Sequence, residues 1–422
     1  MMIKELLEYM KRAVLILFLN FIIHFNTAYG QNAAMIEGIV IDENNATLPY
    51  VNIKIGTTTN TMTNSEGGFS LKISDAQFKD SLSISYIGYK ILKIPVLDLQ
   101  TGLRIKLIRD IVNLEEIIIR PVSAESIIAN AMKSIKQNYA NQPFEMKGFY
   151  REIGRIDGNY LSFAEASLNI LNQGYVDQDK KDLVVINKER SLKKVGDIEV
   201  NNPFHAAVKG VPYTVLENDI VKHPGAVLGD DYRSKYTYHI SGSTIVNGED
   251  AYVIEFDQKD GIKKALYKGT VVVIMSSYAI ASIDFELSPK GKEYAQSDVP
   301  FLQRPMMKVL GYSIQKVNEQ LSGKYMKIKE KWYPYFYKIE TIHRVKAKKQ
   351  HIDGYLHVSA ELFIPQISEQ PKNNYNKDKV MPDNYVFNKL TDTYTDDYWE
   401  GFDFIKPTSS LKVIAEKLHS NK

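Results

Sequence analysis

The sequence lacks cysteine altogether and has almost no excess of charge of either sign. Without cysteine it forms no disulfide bonds, which excludes a small disulfide-built extracellular module. A lipid anchor on a cysteine is excluded as well, because that attachment needs the thiol. The formal net charge is +3, from 53 basic and 50 acidic residues, and so small a balance predicts neither a nucleic-acid partner nor binding to an anionic membrane.

Length and aromatic content indicate a large, β-rich globular protein. A chain of 422 residues is long enough for two or three domains with sizeable cores, so it needs neither disulfides nor a metal for stability. It contains 27 tyrosines and 17 phenylalanines, and aromatic side chains favour strands.

The first thirty residues have the pattern of an export signal. Basic residues precede an apolar run from Ala13 to Ile23 that is short for a membrane span, and Ala28-Tyr29-Gly30 places small residues before a cleavage point. We interpret residues 1–30 as a cleaved signal peptide, with an uncleaved membrane anchor as the alternative. The interpretation predicts a periplasmic or outer-membrane associated protein.

Short alternating segments follow, with turn residues between them. Apolar and polar side chains alternate within residues 36–41, 51–55, 69–73 and 81–86, and Asn, Asp and Gly residues separate these segments. Several short strands without an intervening helix predict a β-sandwich over residues 31–110.

Ten residues of this segment carry a family resemblance. The motif residues are Gly38, Asp42, Pro49, Thr63, Asn64, Gly67, Gly68, Phe69, Gly88 and Tyr89. With them the segment resembles the carboxypeptidase-regulatory-like (transthyretin-like) domain found in envelope proteins of Gram-negative bacteria, in which a turn usually reads T-D-x-x-G-x-F. The resemblance implies an accessory module without catalytic residues, since similar domains lie beside metallocarboxypeptidase domains or before the plug of outer-membrane transporters.

A second, β-rich domain is predicted over residues 123–366, after a linker at 111–122. Apolar residues at helical spacing predict a helix over 123–139 that begins at Ser123. The remainder alternates, with turns at Asp157-Gly158 and Asn247-Gly248 that favour hairpins and four consecutive strands between residues 236 and 288.

So wide an antiparallel sheet must curve or be covered, because its apolar face cannot remain in water. We therefore expect a mainly β protein in which a larger curved antiparallel sheet or half-barrel, with few helices, follows the sandwich. The first helix is expected to cross the concave face, an arrangement similar to that of periplasmic lipoprotein-carrier half-barrels. Residues 367–422 are expected to form a loop and a C-terminal helix.

The sequence contains no recognised catalytic motif. No histidine is followed by Glu three residues later, and His357 and Glu361 are too far apart on a strand to share one metal ion. Ser191 and Lys194 fit S-x-x-K, but its partner motifs are missing. The acidic pairs Asp230-Asp231 and Asp396-Asp397 are expected to be solvated.

Two further segments have structural explanations. The acidic stretch from Asp392 to Asp403 lacks the spacing of a calcium loop and is expected to be a solvated loop held by its aromatic residues. The aromatic run from Trp332 to Tyr337 is attributed to core packing rather than to sugar stacking. The sequence thus predicts no catalytic residue, no cofactor and no metal.

The chain is therefore expected to be a non-catalytic exported envelope protein. Its sandwich would serve as an interaction module, and its larger domain would bind an apolar or glycan ligand or an envelope protein partner. The alternatives are an outer-membrane β-barrel or transport-associated protein, and a peptidase-related protein with an unrecognised site.

Overall fold

The structure is a computed structural model that describes residues 34–56, 59–110, 122–176, 180–193, 211–296, 304–348, 352–373, 375–376, 378–387, 396–399 and 402–420. The expected signal peptide and most of the expected linker lie outside these residues. No helix within the described ranges is both long enough and apolar enough to cross a membrane.

The N-terminal domain is the expected β-sandwich. One sheet has the order β4-β1-β7 and the other the order β3-β2-β5-β6. Apolar side chains from both sheets, such as Val40, Ile53 and Phe69, are fully buried between them. The strands are β1 (Ala34–Ile41), β2 (Asn52–Ile55), β3 (Thr59–Met62), β4 (Gly68–Ile73), β5 (Ser81–Ser85), β6 (Leu92–Pro95) and β7 (Leu103–Lys106).

The second domain is built on one open antiparallel sheet of ten strands. Its order is β10-β9-β8-β17-β16-β15-β14-β13-β12-β11, so β10 and β11 are the edges. The mainly β architecture expected from the sequence is confirmed. The strands are β8 (Phe144–Ile156), β9 (Asn159–Asn172), β10 (Leu183–Lys193), β11 (Tyr236–Val246), β12 (Glu249–Gln258), β13 (Tyr267–Ile274), β14 (Ile280–Leu287), β15 (Tyr312–Ile328), β16 (Lys331–Ala347) and β17 (Ile352–Ser368).

Two of its hairpins form where the turn residues predict them. Asp157-Gly158 joins β8 to β9 with φ angles of 47° and 84°, and Asn247-Gly248 joins β11 to β12 with φ angles of 51° and 87°. Both turns need a left-handed backbone, which Asn, Asp and Gly adopt most readily. The meander of β11 to β14 is confirmed.

Seven short helices occur in the described residues, and one expected helix is divided. Ser123 caps the first helix by accepting a 3.2 Å hydrogen bond from the Ser126 amide, as predicted. The helix ends before Ser134, so the single helix expected over 123–139 is wrong: Ser134 separates two helices. The helices are α1 (Ala124–Lys133), α2 (Ile135–Asn138), α3 (Val211–Glu217), α4 (Gly225–Leu228), α5 (Asp230–Arg233), α6 (Arg304–Val309) and α7 (Leu411–Ser420).

One face of the large sheet, called here the inner face, is covered by α1 to α4. Helical side chains such as Ile127 and Val215 pack on strand residues such as Ile254 and Val271, and all four are fully buried. Helix α1 crosses this face as expected, over β11 and β13. The inner face therefore carries the core of the domain.

The opposite, outer face receives the sandwich and the C-terminal segment 402–420. Met62 of β3 and Phe404 of the segment pack in one cluster with Phe149 and Phe336 of the sheet. Helix α7 packs on β9 through Ile414 and its neighbours. Both faces are thus partly covered, which explains why the strand residues of the outer face are not uniformly solvated.

Two local features refine the sequence analysis. Asp230 and Asp231 lie in helix α5, and the Asp230 side chain is 84% exposed, as expected of a solvated charge. Within the aromatic run, a shift in the β15–β16 register near Pro334 turns Tyr335 to the outer face beside Phe336.

Candidate ligand-binding cleft between the two domains

The sandwich is fixed to the outer face by hydrogen bonds as well as by apolar contact. The Asn60 side chain donates to the Pro365 carbonyl at 2.7 Å, and the Thr61 hydroxyl donates to the Phe404 carbonyl at 2.8 Å. On the other side, the Gly88 amide donates to the Ile245 carbonyl at 3.2 Å. The two domains therefore hold a defined relative position.

The polar motif residues of the sandwich organise its turns. The Asp42 carboxylate accepts hydrogen bonds from the amides of Asn44 and Ala46, at 2.9 and 2.8 Å. The Asn64 side chain accepts from the amides of Glu66 and Gly68, at 3.0 and 2.9 Å. Such bonds from Asx side chains to nearby amides stabilise turns, so the structure gives both residues a role within the domain.

Thr63 joins two segments of the same end of the sandwich. Its hydroxyl accepts from the Val51 amide at 2.9 Å and donates to the Leu48 carbonyl at 2.8 Å, and the residue is fully buried. The neighbouring Pro49 lines the cleft described below.

The remaining motif residues have packing roles. A Cβ on Gly38 would lie 2.6 Å from the Leu103 carbonyl, so only glycine allows β1 to approach β7 this closely. Phe69 is fully buried. Gly67 has a φ of 80° in the turn, and the adjacent Gly68 begins β4.

Gly88 and Tyr89 lie where the sandwich approaches the large sheet. Gly88 also has a φ of 80°, and a Cβ there would lie 3.1 Å from the Thr244 hydroxyl. The Tyr89 ring contacts Tyr86 at a centroid distance of 5.5 Å. Gly88 thus contributes to the position of the sandwich on β11, and Tyr89 contributes to the position of Tyr86 at the cleft.

A cleft of about 840 Å³ lies between the sandwich and the outer face. Its floor consists of the outward side chains of β11 to β16, and Pro49, Tyr50 and Tyr86 form its wall on the sandwich side. Its size is within the range of ligand sites in proteins. A second cleft of about 350 Å³ continues it over β17 and β8, where His357, Glu361 and Arg155 lie.

The two clefts form one groove because they share lining residues. Tyr50, Gln320, Lys338 and Glu340 line both. The groove thus crosses the strands in their spatial order from β11 to β17 and then β8. Seven spacings between neighbouring strands give a length of about 34 Å.

Tyr50 stands at the middle of this groove. Its backbone is left-handed, with a φ of 59°, which is uncommon for a residue other than glycine. Its ring stacks on Phe336 at a centroid distance of 4.7 Å, and the Lys338 ammonium lies 5.0 Å from the ring centre. Burial, and then the charge of Glu361, raise the pKa of the Tyr50 hydroxyl. Tyr50 is thus held neutral in a fixed orientation.

Most charges along the groove are compensated within it. Lys268 pairs with Glu286 at 3.1 Å, and Lys338 pairs with Glu340 at 3.1 Å. The pKa of Glu286 is lowered, first by a hydrogen bond from Gln320 and then by one from Lys268. Its carboxylate therefore remains ionised near neutral pH and can accept hydrogen bonds from a ligand.

Among the described residues, Lys324 and Arg155 line the groove without a carboxylate as ion-pair partner. Lys324 on β15 is only 7% exposed and lines the cleft, and its ammonium lies 4.8 Å from the ring centre of Tyr86. Sequence reasoning missed this residue, because strand alternation assigns it to a solvated face. Only the docking of the sandwich buries it.

Residues considered for catalysis have other partners. Glu361 forms an ion pair with Arg151 at 3.0 Å, and His357 lies on the exposed part of β17. Ser191 is buried on β10, whereas Lys194 and the side chains of Asp396 and Asp397 lie outside the described residues. In the part of the chain that the structure describes, no group of three His, Asp or Glu residues could hold a metal ion.

The aromatic run from Trp332 to Tyr337 is buried, as expected from core packing.

On the inner face, Tyr325 and Tyr175 donate hydrogen bonds to the buried Asp219 at 2.6 and 2.7 Å. Burial and the Asp219 charge raise the pKa of both hydroxyls. This cluster joins the loop after α3 to the sheet and lies within the core, away from the groove.

Comparisons with known proteins identify the N-terminal domain. Residues 36–119 match the family model described as the CarboxypepD_reg-like domain. No curated protein matches the chain.

Solved structures similar to this chain resemble it only distantly. A putative outer membrane lipoprotein-sorting protein domain from Vibrio parahaemolyticus is 11% identical, with a TM-score of 0.25, over 61% of this chain and 98% of that one. A DUF1329 family protein from Desulfovibrio piger ATCC 29098 is 11% identical, with a TM-score of 0.23, over 57% of this chain and 92% of that one.

MucB, solved in complex with MucA(peri), is 11% identical, with a TM-score of 0.17, over 58% of this chain and 94% of that one. Likeness at this level leaves the function to be argued from the side chains of the groove. By the match of its family model, the chain carries a carboxypeptidase regulatory-like domain at residues 36–119.

Proposed function

We propose that this chain is an exported, non-catalytic binding protein whose groove holds an oligosaccharide between the sandwich and the outer face of the large sheet. The observation that carries the proposal is the groove, lined by both polar side chains and aromatic rings, which crosses eight neighbouring strands and has a fixed aromatic residue, Tyr50, at its middle. Export is supported by the residue pattern of positions 1–30.

The shape of the groove favours an extended ligand. A length of about 34 Å is much greater than one sugar ring, and the groove is open along its course rather than closed over a small molecule. A chain of linked sugars fits such a groove by lying across the strands. In the part of the chain that the structure describes, α1 and α3 and their buried side chains cover the inner face, which leaves no comparable space there for an apolar ligand.

The chemistry of the groove favours a ligand rich in hydroxyl groups. Hydroxyl and amide side chains such as Thr270, Ser322 and Gln320 both donate and accept hydrogen bonds. The carboxylates beside them accept only, and their charges are compensated by neighbouring lysines. Such a surface pairs with sugar hydroxyls without requiring a strongly charged ligand.

Binding without cleavage is supported by the state of the carboxylates. Hydrolysis of a glycosidic bond requires one carboxyl group that remains protonated as the general acid. The lowered pKa of Glu286 makes this residue unsuited to that role. The carboxylate of Glu361 is similarly engaged by Arg151.

The proposal is tested by binding measurements with a matched pair of variants. Ser322 lies in the cleft on β15, whereas Ser313 lies on the same strand outside it and is exposed. A glycan array screened with the purified protein should give oligosaccharide ligands. Titration calorimetry should then show that Ser322→Trp abolishes binding and that Ser313→Trp does not.

Two results would contradict the proposal. One is the absence of binding to every glycan class on the array. The other is cleavage of a bound oligosaccharide by the purified protein, detected by chromatography of the products, since this would make the groove an active site.

A further inference from the structure

The Lys324 ammonium is buried in the groove, and the carboxylate that attracts it, that of its diagonal neighbour Asp284, forms no ion pair with it. Among the described residues, none accepts a hydrogen bond from it or forms an ion pair with it. Its neighbours are instead the ring of Tyr86, at 4.8 Å, and the ring of Tyr50, at 5.9 Å. A buried cation that lacks such a partner is costly, so this arrangement requires an explanation.

The aromatic rings compensate only part of this cost. A cation over an aromatic face is stabilised by about 0.5–2 kcal/mol, less than the penalty of removing an ammonium from water. The Asp284 carboxylate supplies part of the remaining compensation through space. Lys324 also lines the open side of the cleft, where an anionic group of a ligand would form a direct ion pair with it.

A second ammonium lies on the neighbouring strand. Lys338 is paired in register with Ser322, two residues from Lys324 along β15, so the two lysines are diagonal neighbours. The Tyr50 ring lies within 5.9 Å of Lys324 and 5.0 Å of Lys338. Lys338 already pairs with Glu340 and Lys268 with Glu286, so Lys324 is the lysine of the larger cleft that forms no ion pair with a described residue.

The acidic residues of the cleft begin on the strand next to Lys324. Asp284 on β14 is its diagonal neighbour and is hydrogen-bonded to Ser322, and Glu286, further along β14, is paired with Lys268. These carboxylates disfavour an anion over β13 and β14 but accept hydrogen bonds from neutral hydroxyls. An acidic substituent of a ligand is therefore directed to the wall formed by Tyr50 and Tyr86.

We propose that Lys324 forms a subsite for the anionic substituent, a carboxylate or a sulfate, of an acidic sugar within the bound oligosaccharide. This inference rests on the proposed function and specifies its ligand. The rest of the oligosaccharide lies over the hydroxyl and amide side chains of β13 to β15.

The test compares acidic and neutral oligosaccharides of equal length with the wild-type protein and two variants. Lys324→Met retains the length of the side chain and removes its charge. Lys346→Met is the control, because Lys346 lies on β16 outside the cleft and its side chain is 55% exposed. Uronate-containing, sulfated and neutral ligands are titrated separately, so that the carboxylate and sulfate are distinguished.

The wild-type protein should bind one of the acidic classes more tightly than the neutral class. Lys324→Met should lower the affinity for that acidic ligand by roughly ten- to a hundredfold and leave the affinity for the neutral ligand unchanged. Lys346→Met should change neither affinity. Thermal unfolding of Lys324→Met should show one cooperative transition, as in the wild-type protein, which verifies that the variant is folded.

The possible failures are distinguishable. Equal affinity of the wild-type protein for acidic and neutral ligands, or an unchanged acidic affinity in Lys324→Met, overturns the subsite while oligosaccharide binding stands. Absence of binding to every class overturns the proposed function itself. If the variant does not fold, the salt dependence of wild-type binding decides. The subsite is supported if the affinity for the acidic ligand falls with increasing salt while the affinity for the neutral ligand does not. Equal salt dependence of the two affinities overturns the subsite.

Discussion

The buried carboxylate of Glu165 allows a direct test of how the turn at Asp396–Trp399 is held on the outer face. Glu165 is fully buried on β9 and accepts hydrogen bonds from Arg151 at 2.6 and 2.9 Å and from Arg190 at 2.8 Å. The indole of Trp399 donates a further hydrogen bond at 2.8 Å. This one side chain therefore joins β8, β9 and β10 to the turn at Asp396–Trp399.

Replacement of Glu165 by Gln keeps its shape but removes the charge. Two buried guanidinium groups then lose their shared carboxylate, and the amide of Gln presents a donor where an acceptor is needed. Removal of one partner of a buried ion pair costs about 3–5 kcal/mol, and we expect that loss in the free energy of unfolding. Glu416→Gln, on the exposed side of α7, should change it by less than about 0.5 kcal/mol.

The assay follows from the tryptophan content. The chain contains two tryptophans, and both Trp332 and Trp399 are buried. In a Trp332→Phe background, the fluorescence of Trp399 reports the turn directly. Glu165→Gln should shift this emission to the red in the native state, and urea unfolding should give the loss of stability.

The effect should depend on pH in a defined direction. Burial alone would raise the pKa of Glu165, but Arg151 and Arg190 outweigh it and hold the pKa below its ordinary value. The stabilisation is thus complete above the unfolded pKa of about 4.3 and is lost as the pH falls through the native pKa. The difference in free energy of unfolding between the wild-type protein and Glu165→Gln should be constant near neutral pH and become smaller below about pH 4. A difference below about 1 kcal/mol at neutral pH, with unchanged Trp399 emission, would refute this reasoning.

Two further substitutions test the junction and the core by urea unfolding. Gly88→Ala should lower the free energy of unfolding by about 1–3 kcal/mol, and by more than Gly102→Ala does. Both glycines have a left-handed φ, but only Gly88 contacts the large sheet, at Thr244. Equal losses in the two variants would argue against that contact. Tyr325→Phe should lower the free energy of unfolding by about 1–3 kcal/mol, because the buried Asp219 loses a hydrogen-bond donor. Replacement of the exposed Tyr355 by Phe should change it hardly at all. An unchanged free energy of unfolding in Tyr325→Phe would contradict the assigned hydrogen bond.

Local sequence signals accounted for the elements that local chemistry decides. The turn at Asn247-Gly248 determined a hairpin because a left-handed two-residue turn matches the strand twist. The Ser123 cap likewise located the start of α1, since its side chain accepts a bond from the first turn.

Features that depend on distant parts of the chain were not predictable in this way. The pairing of β17 with β8 joins Leu356 to Ile156, and no local pattern specifies that partner. Alternation assigned Lys324 to water, because the residues that bury it belong to the sandwich. The groove exists only where the two domains meet, so a reading of either domain alone does not reveal it.

The most direct test of the account is a crystal structure of the protein with an oligosaccharide identified on the array. The account predicts a sugar chain across the outer strands beside Tyr50, with its acidic group at Lys324. An oligosaccharide bound elsewhere, for example along the edge strand β10, would contradict it.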